Sequence, residues 1–280
     1  MFAKILNTLN NTCLRNVTTV VDHHCIRKII LDFPKNKNSL SLDMLNSLIS
    51  DTQNAALNTN IKVIIMSSSQ PNIFSSGHDL KQFQKNKNDN DLQLQKEILE
   101  KLVRLINIIQ NLPIPVIAEI KGHAAAAGCQ LACSCDIITA SEKALFSTPG
   151  IKQGIFCSTP GVAIIKSSLP LKIATKMLFT GDPITAQEAY QFGLVSQVFP
   201  EHLLEDGTVE LANKIAKNSK EVLSLGKQCL YQQINLDKEK AYQVAIDAML
   251  ENIKLDDAQE GIKAFLEKRT PIWVKAKMNK

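Results

Sequence analysis

This 280-residue chain lacks several motifs that would assign a function directly. It contains neither G-x-G-x-x-G after a strand nor G-x-x-x-x-G-K-S/T, so the two common nucleotide-binding loops are not expected. It has no G-x-S-x-G, which argues against a serine hydrolase with a nucleophile elbow. Aromatic residues make up only 5% of the chain, too few to favour a base-stacking surface. No apolar run approaches the roughly 18 residues that a membrane span requires.

The seven cysteines include no C-x-x-C pair and form no recognisable disulfide framework. We expect Cys129, Cys133 and Cys135 to be small core residues in a reducing compartment, and we expect no metal site. The net charge of +5 favours anionic ligands without indicating nucleic acid.

The first 21 residues contain Lys4 and Arg15 but no acidic residue, and Asp22 is the first carboxylate. A basic, acid-poor and hydroxyl-rich start permits a mitochondrial transit peptide. A disordered or trimmed N-terminus is the alternative. Either interpretation places residues 1–25 outside the folded core.

From residue 26 onward, short apolar runs alternate with segments of helical period, which predicts an α/β fold with parallel pairing. Beyond Pro160 the pattern is almost entirely helical, and Thr185 with Glu188 predicts a capping box. A boundary near residue 200 separates a core, 26–200, from a C-terminal helical region, 201–280. The predicted strands are Ile26–Asp32, Ile61–Met66, Pro115–Ile120 and Asp136–Ala140; the predicted helices are one capped by Ser41, one ending before Pro113 and Ala124–Cys133; and a loop is predicted over Gln84–Gln95.

Two segments follow predicted strands and turn with small residues: 75–80 (SSGHDL) and 122–130 (GHAAAAGCQ). Small residues let a backbone approach another group closely, and a helix N-terminus offers free N–H groups to an anion. Two such turns that converge can hold one developing oxyanion. Tight packing explains the same residues, so at this point both interpretations remain open.

Four motifs occur along the chain in this order: SSGHDL, PVIAEIKGHAAAAGCQLACSCDI, ALFSTPGIKQGIFCSTPG and LFTGDPITAQEAYQFGLVSQV. In these motifs and their order the chain resembles the enoyl-CoA hydratase/isomerase (crotonase) superfamily, and the resemblance covers Ile26 to Trp273. The resemblance implies a spiral of repeated ββα units with a C-terminal helical trimerisation region, and hence a homotrimer or hexamer. It implies an acyl-coenzyme A (CoA) thioester as substrate in fatty-acid metabolism and no separate cofactor, because CoA is part of the substrate. It favours the mitochondrial matrix.

By this resemblance, the oxyanion hole uses the backbone N–H groups of His78, after Gly77, and Ala127, before Gly128. A backbone donor tolerates any side chain, so His and Ala do not by themselves damage the hole. CoA contacts are implied for further residues, which are otherwise ordinary surface or core residues: Lys37 (or Lys35) and Lys81, and Phe265 and Lys268 reaching a neighbouring subunit.

The two glutamates of the family's hydratases are missing. The resemblance places them at Gln130 and Gly150, and the acid of dienoyl-CoA isomerases at Ser158. An amide neither donates nor accepts a proton near neutral pH, and each positioned acid or base contributes typically about 10²–10⁴-fold. We therefore expect weak or altered thioester chemistry.

Other groups near the motifs offer alternatives. Glu119, His78 and His123 are candidate substitutes for the missing acids, although structural roles are the simpler reading for each. Cys157 and Ser158 are expected to shape the acyl pocket rather than to attack the substrate.

Three functions are thus distinguished. The first is an acyl-CoA-binding protein without the hydratase acids, and the second is an active hydratase with substitute residues. The third is a non-enzymatic protein that binds RNA or another protein. RNA is not expected, because the lysines of the helix before Pro113 alternate with glutamates.

Overall fold

The computed structural model describes residues 17–84, 91–166 and 169–274. Its strands are β1 (Thr18–His23), β2 (Ile26–Leu31), β3 (Val63–Ser68), β4 (Ile73–Ser75), β5 (Val116–Ile120), β6 (His123–Ala125), β7 (Ile137–Ser141), β8 (Leu145–Ser147), β9 (Ile184–Thr185) and β10 (Gln197–Phe199). Its α-helices are α1 (Leu42–Leu57), α2 (Leu80–Phe83), α3 (Asp91–Asn111), α4 (Ala127–Cys133), α5 (Ser158–Lys166), α6 (Leu171–Thr180), α7 (Ala186–Gln191), α8 (Leu204–Ala216), α9 (Lys220–Gln233), α10 (Lys238–Lys254) and α11 (Asp256–Leu266).

The strands form two sheets that the chain visits in turn. One sheet has the order β1-β2-β3-β5-β7-β10 and the other β4-β6-β8-β9. The pairs β3/β4, β5/β6 and β7/β8 each place one strand in each sheet and are followed by helices. This repetition is a spiral of ββα units, which confirms the predicted fold class. Pairing is parallel except for β1 with β2 and β8 with β9.

The larger sheet is covered on both faces, which explains the continuous apolar run in β3. Every residue of β3 is buried. Ile64 and Met66 face the main core, whereas Val63 and Ile65 face a smaller core that α8 covers through Ala212. A strand buried on both faces needs apolar side chains at successive positions rather than at alternate ones.

Several predicted boundaries differ from the structure. The sheet begins at Thr18, eight residues before the expected core boundary at 26, because β1 pairs antiparallel with β2; residues 1–16 lie outside the described part. The predicted helix at 124 starts only at Ala127, because β6 pairs with β4 and β8. The predicted loop over Gln84–Gln95 is too long at its end, since α3 begins at Asp91; residues 85–90 are outside the described part.

The C-terminal half is helical, as predicted, and the capping box at Thr185 and Glu188 is confirmed. Helix α8 lies beyond the expected boundary at 200 but packs on β3, β5 and β7, so it belongs to the core. Helices α9, α10 and α11 then pack on one another. Among the described residues, no helix is both long and apolar enough to cross a membrane.

A buried ion pair joins α9 to the core. Lys227 Nζ lies 2.7 Å from Asp136 Oδ2 and donates to the carbonyls of Ile109 (2.7 Å) and Ile114 (3.0 Å). Tyr231 donates its hydroxyl to Asp136 Oδ1 at 2.8 Å. Burial lowers the pKa of Lys227, and the Asp136 carboxylate opposes this shift.

Removing the carboxylate of this pair should destabilise the fold. We predict that Asp136→Asn lowers the free energy of unfolding by about 3 kcal/mol, because it leaves a buried ammonium without its counter-charge. Glu251→Gln breaks the exposed pair with Lys254 and should leave the urea midpoint nearly unchanged. Equal midpoints for the two variants in urea denaturation would contradict the prediction.

Candidate active site

The two small-residue turns follow the carboxyl ends of two neighbouring strands of the smaller sheet. Strands β4 and β6 run parallel, with Ile73 opposite His123 and Ser75 opposite Ala124. The segments after their carboxyl ends therefore emerge side by side. The structure thus brings together the two segments that the sequence singled out.

Contact between the turns is close enough to exclude side chains. Gly77 has φ +91°, and a Cβ there would lie 2.8 Å from Ala126 Cβ and 3.0 Å from Ala127 N. A Cβ on Gly128 would lie 2.5 Å from the Ser75 carbonyl oxygen. Both glycines are therefore required by the close approach of one turn to the other, and this close packing is compatible with either interpretation of the two segments.

The backbone N–H groups of His78 and Ala127 belong to the two segments that make this contact. Ala127 is the first residue of α4, so its N–H precedes the hydrogen bonds of the helix. Within the described ranges, neither N–H donates to a protein acceptor. Ala126 takes an unusual conformation (φ 48°, ψ −121°), and its N–H donates to the Ser147 carbonyl at 2.9 Å. The arrangement presents two free donors from adjacent turns.

Asn38 supports the first turn, and sequence reasoning missed it. The side chain is fully buried, and its Nδ2 donates to the carbonyls of Leu31 (3.1 Å) and Phe74 (3.2 Å) and to Ser68 Oγ (2.9 Å). The backbone carbonyl of Asn38 accepts a hydrogen bond from Ser75 Oγ at 2.7 Å. Asparagine tolerates the positive φ of 50° found here. An Asn in a loop of few apolar residues was the available signal.

The imidazole of His78 is buried beside Phe83. Its ring lies 5.1 Å from the Phe83 ring, centroid to centroid. Both ring nitrogens are buried without a hydrogen-bond partner among the described residues. Burial lowers the pKa of His78, and the nearby Leu40 carbonyl opposes this only in part. The ring is therefore neutral at pH 7.

The other candidate acids and bases have structural partners. His123 Nε2 lies 2.7 Å from Ser147 Oγ, and burial lowers the pKa of His123. Glu119 is fully buried, lies 3.1 Å from Lys28 Nζ, and shares with Ile117 the face of β5 that α8 covers. The strand's alternation thus directs Glu119 into an ion pair on the other side of the sheet.

Gln130 lies one helical turn beyond Ala127 on α4. Its side chain is 4% exposed, and Oε1 is buried with no hydrogen-bond partner in the described part of the chain. It lines a cavity of about 600 Å³, which we call the α4 cavity; its wall also includes Cys133, Ser134, Val162 and Leu230. A buried amide oxygen without a protein partner is uncommon in folded proteins.

At Gly150, packing as well as sequence excludes a carboxylate. A Cβ there would lie 2.6 Å from the Ile155 carbonyl oxygen and 2.7 Å from Cys157 Sγ. Cys157 is buried, which raises the pKa of its thiol, while the Gly150 N–H lowers it in part. A neutral thiol is a weak nucleophile, so Cys157 fills space here, whereas Ser158 begins α5.

The residues expected to contact CoA fall into two groups. Lys37 is exposed, and its carbonyl accepts from Ser76 N at 3.1 Å, so its loop borders the first turn. Lys81 is exposed in α2, three residues after His78. Phe265, near the end of α11, is 82% exposed, and Lys268 just beyond the helix is also exposed; the contact with CoA in a neighbouring subunit stays a prediction.

Comparison with known proteins identifies close relatives. The family model described as enoyl-CoA hydratase/isomerase matches residues 22–276. The human enoyl-CoA hydratase domain-containing protein 3, mitochondrial, is 49% identical over 248 residues, covering 89% of this chain and 80% of the relative. The Escherichia coli 2,3-dehydroadipyl-CoA hydratase is 34% identical over 245 residues, covering 87% and 92%. The crystal structure of the human protein matches with a TM-score of 0.88 at 47% identity, covering 92% of this chain and 100% of that one.

The lowered pKa of His78 predicts a pH-dependent stability. A buried neutral histidine binds its proton below the unfolded value of about 6.5, so the unfolded state gains protons first as pH falls. The free energy of unfolding should therefore decrease as pH drops from 7 through 6.5 toward the folded pKa. Replacement by His78→Gln should flatten this slope, whereas His202→Gln, at an exposed position, should not. Urea midpoints measured between pH 5.5 and 7.5 give the slope of stability against pH for each protein. Equal slopes for the native chain and the His78→Gln variant would contradict the prediction.

Proposed function

Because the chain belongs to the enoyl-CoA hydratase/isomerase family, we propose that it binds acyl-CoA thioesters between the turns that carry His78 and Ala127. The thioester oxygen accepts hydrogen bonds from both backbone N–H groups. The observation that carries the proposal is their convergence: Gly77 and Gly128 permit it, and neither N–H has a protein acceptor in the described ranges.

Such a site polarises the substrate but handles protons poorly. Two fixed donors stabilise negative charge on the thioester oxygen, which favours an enolate at the adjacent carbon. Hydration of a conjugated double bond also needs a base for water and an acid for the α-carbon. Gln130 and Gly150 supply neither, so the chemistry that remains is slow proton exchange, hydrolysis or decarboxylation of a bound thioester.

An efficient hydratase with substitute residues is less well supported. The nearest carboxylates along the chain have other partners: Asp79 caps α2 and accepts from Asn36 at 2.8 Å, and Glu119 pairs with Lys28. The His123 ring is bound to Ser147. Each group would have to leave its partner to reach the substrate.

An RNA-binding role gains no support from α3. Lys96 lies 3.7 Å from Glu100, and Lys101 lies 3.7 Å from Glu97, so these lysines are balanced along the helix. This is the salt-bridged face that the sequence predicted. Such a face does not accumulate the positive potential that nucleic acid requires.

We place the protein in mitochondrial fatty-acid metabolism as a homotrimer or hexamer, consistent with the mitochondrial names of its relatives. Helix α10 carries an apolar stripe that the chain itself leaves exposed, at Tyr242, Ile246, Met249, Leu250 and Ile253. An uncovered stripe of this length is typical of a subunit interface. Sedimentation equilibrium distinguishes the trimer from the hexamer.

Filling the space between the two turns should weaken the binding of acyl-CoA. Gly77→Ala places a methyl group against Ala126 and should lower affinity for butanoyl-CoA about tenfold, the worth of one or two hydrogen bonds. Gly154→Ala is the matched control: its φ is also positive (+74°), but nothing lies within 4 Å of the added methyl. Titration calorimetry measures the affinity of both variants for butanoyl-CoA. If no acyl-CoA binds the native chain, or if the two variants behave alike, the proposed hole is refuted.

Hydration should be slow and difficult to restore. Crotonyl-CoA hydration by the native chain should be at least about 10³-fold below that of a hydratase with both glutamates. Gln130→Glu with Gly150→Glu should recover less activity than the same pair with Cys157→Gly, because Cys157 Sγ occupies the space beside position 150. Loss of ultraviolet absorbance measures the rate. A native rate within tenfold of an ordinary hydratase would refute the role assigned to these positions.

A further inference from the structure

Two thiols lie against each other on the helix that carries the second turn. Cys129 and Cys133 are one turn apart on α4, and their Sγ atoms are 3.9 Å apart in a thiol hydrogen bond. Both side chains are buried. In a regular helix the Cα atoms of such a pair are about 6 Å apart, within the range of about 4.4–6.8 Å that a disulfide accepts. The two cysteines are therefore close enough to be joined by a disulfide.

The two thiols differ in their access to solvent. Cys133 lines the α4 cavity, whereas Cys129 is fully buried. The cavity opens to solvent, because Val103 and Val162 in its wall are 44% and 63% exposed. The hydrogen bond with Cys133 and burial raise the pKa of Cys129, so this thiol stays protonated. Oxidation of a thiol follows its exposure and its thiolate fraction, and it therefore begins at Cys133.

We propose that Cys129 and Cys133 form a reversible redox switch of the thioester site, with hydrogen peroxide as the oxidant. Peroxide transfers one oxygen atom to the Cys133 thiol, which is oxidised to a sulfenic acid while the peroxide is reduced to water. The Cys129 sulfur then attacks the Cys133 sulfur: the S–S bond forms, the S–O bond breaks, and the hydroxyl leaves with the Cys129 proton as a second water. A dithiol reverses the reaction by thiol–disulfide exchange.

The disulfide would distort the end of α4 that carries Ala127. Cβ atoms one helical turn apart are separated by about 5–6 Å, but a disulfide holds them at about 3.5–4.5 Å, so the turn must tighten. The carboxyl end of α4 leads into Asp136, which Lys227 holds at 2.7 Å. The amino end begins after Ala126, whose φ is 48°. We expect the less restrained amino end to move, which displaces the Ala127 N–H, two residues before Cys129, from its partner donor.

The switch goes beyond the proposed function, and only its effect on affinity rests on that function. Separation of the two donors lowers the affinity for an acyl-CoA thioester. Reduction of the disulfide restores the turn and the affinity with it.

Peptide mass spectrometry tests whether the disulfide forms. The full-length protein is treated with one equivalent of hydrogen peroxide, alkylated and digested with trypsin. The tryptic peptide 122–143 contains three cysteines. It should lose two hydrogen atoms and carry one alkyl group, on Cys135, and dithiothreitol should reverse the change. Cys133→Ser should abolish the effect, whereas Cys25→Ser, at a half-buried thiol of another segment, should not. Alkylation of both Cys129 and Cys133 after peroxide treatment would overturn the proposal.

Affinity and hydrogen exchange test whether the disulfide acts as a switch. After removal of peroxide, titration calorimetry with butanoyl-CoA should show at least about tenfold lower affinity for the oxidised than for the reduced protein, the worth of one or two hydrogen bonds. In Cys133→Ser the ratio of the two affinities should fall to about one, and in Cys25→Ser it should persist. Amide hydrogen exchange over residues 126–134 should be faster in the oxidised protein.

The outcomes separate the switch from the proposed thioester site. If the disulfide forms but changes neither affinity nor exchange, the pair is not a switch. If Cys133→Ser loses affinity on oxidation as the native chain does, another thiol is responsible and the inference is wrong. If the reduced protein binds no acyl-CoA, the proposed thioester site fails; hydrogen exchange over 126–134 then upholds the switch if it is faster after oxidation and refutes it if it is unchanged.

Discussion

The close approach of two backbone turns is the constraint on which the site depends. Gly77 and Gly128 let the turns after β4 and β6 come within contact distance, so the free N–H groups of His78 and Ala127 lie on neighbouring segments. Asn38 holds the first turn by hydrogen bonds, and the Ser147 carbonyl holds Ala126 in a conformation that alanine seldom adopts. Preorganised donors of this kind avoid the cost of reorienting solvent around a developing charge.

The spiral of ββα units brings the turns after β4 and β6 together without any long loop. Each ββα unit sends one strand to each sheet, and the parallel strands of the smaller sheet end at one edge. The edge therefore collects the turns after β4, β6 and β8, which carry His78, Ala127 and Gly150 in turn. Helix α9 closes the far side through the Lys227–Asp136 pair, so the C-terminal region contributes to the cavity of its own chain.

Periodicity predicted the strands and helices with strong patterns, such as β3 and the helices after residue 200. It misplaced the elements whose identity depends on pairing. Ala124 and Ala125 have high helix propensity but join a sheet, because β4 and β8 leave a gap that only a strand can fill. The family resemblance predicted the positions of an oxyanion hole and of two missing glutamates, and these remain predictions. It did not reveal the hydrogen bonds of Asn38, or that Cys157 fills the space beside Gly150, because both depend on contacts that only the folded structure shows.

The contact between Gly150 and Cys157 also limits which side chains position 150 can carry. A thiol and a carbonyl oxygen fill the space beside it, so any larger residue placed there alone meets a steric clash. A carboxylate at position 150 therefore requires coordinated changes in two segments, and a variant with only one of the two changes would be destabilised. Engineering of this site must treat the two segments as one unit.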